Sequence, residues 1–165
     1  CKENTSLANL FGLPYVVLRT PIAMDQSTLN YNWQVGGTAA FSVYTNATES
    51  IDEASAELGV SAVLRFLSRM GIIKYKCHGG YMGTIIDEDD MMNVTCGAAG
   101  IYRSMHKSGD EVEKGEVLAQ IIHPYEGNVI SEVKAPADGI LFFAHESPLV
   151  MENTIVFKMI KRLHK

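Results

Sequence analysis

The sequence has no stretch of the ~20 apolar residues that a membrane-spanning helix requires. Its longest candidate, Val60 to Leu67, is interrupted by Ser61 and Arg65. It also lacks a basic excess: 14 Lys and Arg face 19 Asp and Glu, a formal net charge of −5. The balance holds on both sides of residue 72, with 4 positive and 6 negative side chains up to it and 10 and 13 after it. Neither part has the basic face that nucleic-acid binding needs. Only three cysteines occur, Cys1, Cys77 and Cys96. Their odd number and wide spacing suit reduced thiols in a cytoplasmic protein rather than a disulfide framework. There is no initiator Met and no cationic segment leading into an apolar one. The opening at Cys1 therefore reads as a piece of something longer. What the chain does have is 47% apolar residues and 20% charged, enough to build one globular domain or two small ones.

The organisation changes along the chain. Ser6–Phe11 reads as the end of a helix stopped by Gly12. Leu13–Arg19 (LPYVVLR) is a short β-branched run, expected as a buried strand. Thr20–Gly37 is polar and aperiodic, so a long loop is expected there, of a length that is often functional. Thr38–Thr45 (TAAFSVYT) reads as a second strand. A helix over 50–70 follows, with a capping pattern at Ser50 and Glu53. Its apolar stripe is Val60, Val63, Leu64, Leu67 and Met70. Arg65 and Arg69 lie towards its negative end, Gly71 can take the left-handed C′ position, and Gly59 suggests a kink or close contact. Beyond Ile73 the helical period disappears. Short β-like runs remain at Thr84–Ile86, Asn93–Cys96, Gly100–Tyr102, Val117–Ile122, Val129–Val133, Gly139–Phe143 and Thr154–Ile160. The expected fold class is α+β: an α/β part over residues 1–73 and an all-β part over 74–165, divided in the stretch 74–83. The segments Cys96–Ile101 and Lys134–Ile140 echo each other, each a small-residue turn leading into a strand.

Two motifs stand out in the β part. Gly109-Asp110-Glu111-Val112-Glu113-Lys114-Gly115-Glu116-Val117-Leu118 reads G-D-x-V-x-K-G-x-x-L, and Ala135-Pro136-Ala137-Asp138-Gly139-Ile140 reads A-P-x-D-G-I. Glycines 109 and 115 permit turns with positive φ, while Pro136 and Asp138-Gly139 set the next turn. The pair resembles the barrel-sandwich hybrid of biotinyl and lipoyl carrier domains. That resemblance implies a carrier lysine at the tip of the preceding hairpin. The tip here, His123-Pro124-Tyr125-Glu126-Gly127-Asn128, has none, so neither biotin nor lipoate is expected.

The order of the whole chain resembles the C-terminal half of the succinylglutamate desuccinylase/aspartoacylase family. That order is the strand LPYVVLR, a loop with Ser27-Thr28-Leu29, the strand AAFSVY, a helix and then the β part. The resemblance implies a carboxypeptidase-like α/β domain followed by a β domain. It also implies a zinc-dependent amidohydrolase whose partner is a small N-acylated amino acid. Zinc is implied for the full-length parent only; none is expected in this chain, because the family's His-x-x-Glu pair and later histidine belong to the first half of the domain. The stretch His123-Pro124-Tyr125-Glu126 has Glu at the third place after His but sits in the β hairpin, and is read as coincidental. The five histidines show no metal-ligand spacing. The family's general base, a Glu in T-x-E-x-G before the helix, aligns with Tyr44.

The candidate catalytic residues are therefore Tyr44 and Glu49. Tyr44 is either a hydrogen-bond donor to an oxyanion or a strand-end aromatic packed on a neighbour. As a base it is poor at neutral pH. Glu49 is either a substitute base or part of the helix start. Asn30 and Asn32, with Asp25, Tyr31 and Trp33, either border a substrate pocket or form a surface loop anchored by Trp33 and Leu29. The run Asp87–Asp90 lacks calcium-loop spacing and reads as a solvated turn. The first reading is a zinc amidohydrolase fragment, inactive alone. The second is a non-catalytic binding or scaffold relative. Apolar faces left bare in such a fragment lead us to expect self-association, or an upstream fragment of the same protein, to cover them.

Overall fold

The computed structural model describes residues 2–44, 51–76 and 78–161. These form two units, one of residues 2–44 and 51–89, the other of residues 90–161.

The first unit begins with α1 (Lys2–Asn9). The helix ends in a turn at Gly12, whose φ of 64° is the left-handed conformation a glycine adopts without strain. Next comes β1 (Tyr15–Leu18). Residues 20–37 are not the expected loop. A 3-10 helix spans Ala23–Ser27 and α2 spans Leu29–Val35. The signals for both are short polar side chains. Asp25 Oδ2 accepts from the Ile22 N–H (2.8 Å), and Thr28 caps α2 by accepting from the Tyr31 N–H (3.3 Å). Conversely, Thr38–Tyr44 has strand composition but no ladder partner among the described residues.

The long helix, α3, runs Glu53–Arg69. Its N-cap is Asp52 rather than the expected Ser50. The Asp52 carboxylate accepts from the hydroxyl and the N–H of Ser55 (2.5 and 3.1 Å). These bonds, the hydroxyl's first, hold its pKa below the ordinary carboxylate value. At the other end Gly71 takes φ 74°, and the Ile72 N–H reaches the Leu67 carbonyl (3.0 Å), closing the helix as expected. Gly59 faces open space, so no tight contact explains it. The buried positions are Ala62 and Arg65, while Val60, Val63 and Met70 of the expected stripe stay exposed. β2 (Thr84–Asp87) pairs in parallel with β1. This stretch was expected with the β part, and the pairing attaches it to the first unit.

The second unit is antiparallel throughout. Its strands are β3 (Met92–Thr95), β4 (Gly100–Ser104), β5 (Glu111–Val112), β6 (Val117–Ile122), β7 (Val129–Lys134), β8 (Gly139–Ala144), β9 (Leu149–Val150) and β10 (Ile155–Lys161). They form two four-stranded sheets, β3-β10-β8-β5 and β7-β6-β4-β9. Residues from both sheets share one core, in which Phe157, Leu118, Ile121, Leu141 and Met159 are wholly buried. The two motifs touch. The Asp138 carboxylate accepts from the Lys114 N–H (2.7 Å), and the Gly115 N–H donates to the Ala135 carbonyl (2.8 Å). Gly109 and Gly115 take φ of 94° and 87°. The internal echo has a shared cause: at Gly100 and at Gly139 a Cβ would run into a carbonyl of the neighbouring strand, Ile122 and Ile160 respectively.

Candidate functional site

The residues singled out in the first unit lie on one stretch of chain, and a web of side-chain amides shapes it. Asn30 donates through Nδ2 to the Ser42 hydroxyl (2.8 Å) and accepts through Oδ1 from Gln34 Nε2 (2.6 Å). Gln34 Nε2 also donates to the Ala40 carbonyl (2.9 Å). Asn32 donates through Nδ2 to the carbonyls of Gln26 and Thr28 (2.9 and 2.8 Å). Both asparagines thus tie α2 to its neighbours: Asn32 holds the preceding 3-10 helix and Asn30 holds the extended segment 38–44. Trp33 and Leu29, the anchors of the surface-loop alternative, are exposed. Tyr44 is 84% exposed at the end of the extended segment. Glu49, the candidate substitute base, lies outside the described residues.

Arg19 belongs to this region and was not singled out from the sequence. It follows β1 and pairs with Asp25 (3.3 Å) and Glu88 (2.9 Å). A cation directly after an apolar strand was the available signal. Asp25 thereby serves as both a turn-former and an ion-pair partner.

A second polar centre is built by α3. Arg65 is only 5% exposed. It donates to the carbonyls of Phe11 (2.6 Å), Gly12 (3.4 Å) and His78 (2.9 Å). Arg69 donates to the carbonyls of Asn9 (3.2 Å), Leu10 (2.9 Å) and Gly79 (2.5 Å). Two arginines four residues apart share a helix face, and here that face closes the C-terminal carbonyls of α1 and the 78–79 loop. A Cβ at Gly12 or at Gly80 would strike the Arg65 side chain at 2.8 Å. By sequence these arginines lie towards the negative end of their own helix. The structure uses them on the negative end of another, which the same electrostatics favours. Phe66 stacks on Phe11 beside them at 4.4 Å.

In the second unit His106 stands between Asp110 (3.4 Å) and Glu116 (3.5 Å). His123 turns its Nδ1 onto the N–H groups of Glu126 (3.2 Å) and Tyr125 (3.4 Å). Its segment is therefore the hairpin turn between β6 and β7. Tyr102 packs edge-on against His145 (5.4 Å between ring centroids), and burial raises its phenol above the ordinary value. Among the described residues no three His, Cys, Asp or Glu side chains come together as a metal-ion site. The residues at hand thus do not fit a catalytic zinc, which takes three protein ligands. Cys96 is a buried free thiol. No described helix is long and apolar enough to cross a membrane.

No family model matches the sequence, and no curated protein matches it. Solved structures do. The succinylglutamate desuccinylase/aspartoacylase of Rhodobacter sphaeroides aligns over 99% of this chain and 50% of its own, at 20% identity and TM-score 0.71. The ectoine utilization protein EutE of Ruegeria pomeroyi aligns over 98% and 51%, at 18% identity and TM-score 0.72. An aspartoacylase family protein of Mesorhizobium loti aligns over 99% and 48%, at 18% identity and TM-score 0.68. The chain spans about half the length of these structures, and at such identities the likeness is one of fold. This chain has the fold of one half of the solved succinylglutamate desuccinylase/aspartoacylase family structures.

Proposed function

We propose that this chain is one half of a cytoplasmic zinc amidohydrolase that cleaves the amide of an N-acylated amino acid and is inactive by itself. The observation that carries the reading is a likeness of fold extending over 99% of the chain rather than over the β part alone. In the whole enzyme zinc would polarise the amide carbonyl and activate water. No described ligand set in this chain fits it, so its ligands come from outside the described residues. What this chain would contribute is the wall built around α2. There Asn30 holds the segment carrying Tyr44 while Asn32 holds the preceding 3-10 helix, and the exposed Tyr44 hydroxyl would donate to a developing oxyanion. Glu49 is the carboxylate proposed as base.

The test is zinc content by elemental analysis, together with hydrolysis of acetyl- and succinyl-amino acids, for this chain and for the full-length protein. Zinc and activity in the full-length protein alone are expected. Near-stoichiometric zinc in the isolated chain would overturn the ligand argument. Unchanged activity in Glu49→Gln removes Glu49 as the base. Unchanged activity in Tyr44→Phe removes the oxyanion role. A second reading, a non-catalytic relative, is favoured by Tyr44 standing where the resemblance places a Glu. A full-length protein that binds the acylated amino acid without hydrolysing it would establish that reading.

A further inference from the structure

An antiparallel sheet with one face on a core normally turns polar residues to water on the other. The sheet β7-β6-β4-β9 does so only in part. Its inward residues Tyr102, Ile121 and Val150 join the shared core, and the residues that alternate with them point outward. Across the register Leu149 pairs with Ile101, Ile101 with Ile122, and Ile122 with Val129. One apolar row therefore crosses the outer face of all four strands without a polar break. Leu149 is 67% exposed, Val129 43% and Ile101 37%. The next outward row is polar. Arg103 pairs with Gln120, and Gln120 with Glu132, so its order is positive, neutral, negative. Arg103 donates to Gln120 Oε1, and Glu132 has Lys134 at 3.1 Å. Both ends of this row are exposed.

We propose that this outer face is a homodimer interface, on which a second copy of the chain packs the same four strands about a two-fold axis parallel to them. The occupant is argued from charge order. A face that meets its own copy makes an isologous contact, so its pattern must complement itself. An axis along the strands lays the apolar row on itself, Ile101 over Ile122 and Leu149 over Val129. It also lays the polar row on itself with the order reversed, which brings Arg103 of one copy towards Glu132 of the other. Sheets packed face to face lie about 10 Å apart, a gap that an arginine and a glutamate reaching from opposite sides can bridge. An axis across the strands either separates these charges or sets Arg103 on its own copy. The charge order thus selects the first arrangement, and opposite charges so placed fix the register of the contact. A four-stranded face is small for an interface, so the dimer is expected to be reversible. The inference uses the second unit alone and stands whether or not the hydrolase reading does.

The experiment is sedimentation velocity on the full-length protein over a dilution series. The unaltered protein is expected to pass from dimer to monomer on dilution. Ile101→Glu places a charge in the apolar row. Arg103→Glu and Glu132→Arg each set like charges against one another across the axis. Each of the three should raise the dimer dissociation constant by about tenfold or more. All three side chains are exposed, so replacement opens no core. The double variant Arg103→Glu/Glu132→Arg should return the constant to near its starting value, a recovery that a misfolded chain does not give. A protein that stays monomeric throughout overturns the proposal. So does a dimer indifferent to the three substitutions, which would place the contact on another face or with another occupant, and so does a double variant no tighter than either single one. Because the readout is mass, it is unaffected if the full-length protein proves not to hydrolyse acyl-amino acids.

Discussion

The two units use similar lengths of chain in opposite ways. Of the buried apolar residues, Ala40, Ala62 and Ile86 belong to the first unit; the rest, from Met91 to Met159, belong to the second. The second unit closes its two sheets on one shared core. The first is held instead by directional contacts: two arginines on backbone carbonyls, amide side chains between turns, and a ring stack. Apolar burial contributes roughly 25 cal/mol per Å² without regard to direction. A hydrogen bond nets only about 1 kcal/mol but fixes geometry. The first unit is thus shaped more than it is stabilised by this chain.

The largest expected effect is in the second core. Leu118→Ala or Phe157→Ala should lower stability in chemical denaturation by about 3–5 kcal/mol, whereas Val63→Ala on α3 should change it by less than about 0.5 kcal/mol. An equal cost at Val63 would mean its face is covered and would erase the contrast. Next comes Arg65→Met, which strips donors from the carbonyls of Phe11, Gly12 and His78. A loss of about 2–3 kcal/mol is expected. Hydrogen exchange should show it confined to the first unit, with the Tyr81 amide, bonded to the Gly12 carbonyl, among the first to lose protection. Asp138→Ala removes the side-chain link between the two turn motifs and should cost about 1 kcal/mol, with no change in exchange in the first unit.

The smallest effect is a pH dependence. Burial raises the Tyr102 phenol above its ordinary value. The unfolded chain therefore loses this proton first as pH rises, and the folded state, which keeps it, loses stability above about pH 10. Tyr102→Phe should flatten the decline in stability above about pH 10, leaving neutral-pH stability nearly unchanged. A decline of the same slope in the variant would assign it to other groups.

Most of the second unit could be read in advance, because its signals are local. Val117–Ile122 matches its strand end for end, and Gly109 and Gly115 take the positive φ their turns need. The two strands missed, Glu111–Val112 and Leu149–Val150, are two residues each and carry no periodicity. In the first unit Gly12 and Gly71 marked their helix ends correctly. Residues 20–37 misled because Asp25 and Thr28 act as turn-formers there, and a polar, aperiodic run hides such caps. As for the site, the sequence named Asn30, Asn32 and Tyr44. Their neighbours Arg19, Gln34 and Ser42 emerged only with the structure, since they act through side-chain or longer-range partners.

The sequence by itself determined where the chain turns and which segments are apolar, because a glycine's φ, a capping carboxylate and a strand's alternation depend on neighbours a few residues away. Tertiary structure alone decided which apolar segments find partners. Val117–Ile122 and Thr38–Tyr44 carry comparable strand composition, yet the first has pairing strands on both sides and the second has none among the described residues. A strand's hydrogen bonds belong to another segment, so its composition sets the capacity to pair while its partner settles the outcome. The same holds for Arg65: its charge was plain from the start, but its burial rests on carbonyls more than fifty residues away, brought to it only when the turn after α1 meets α3.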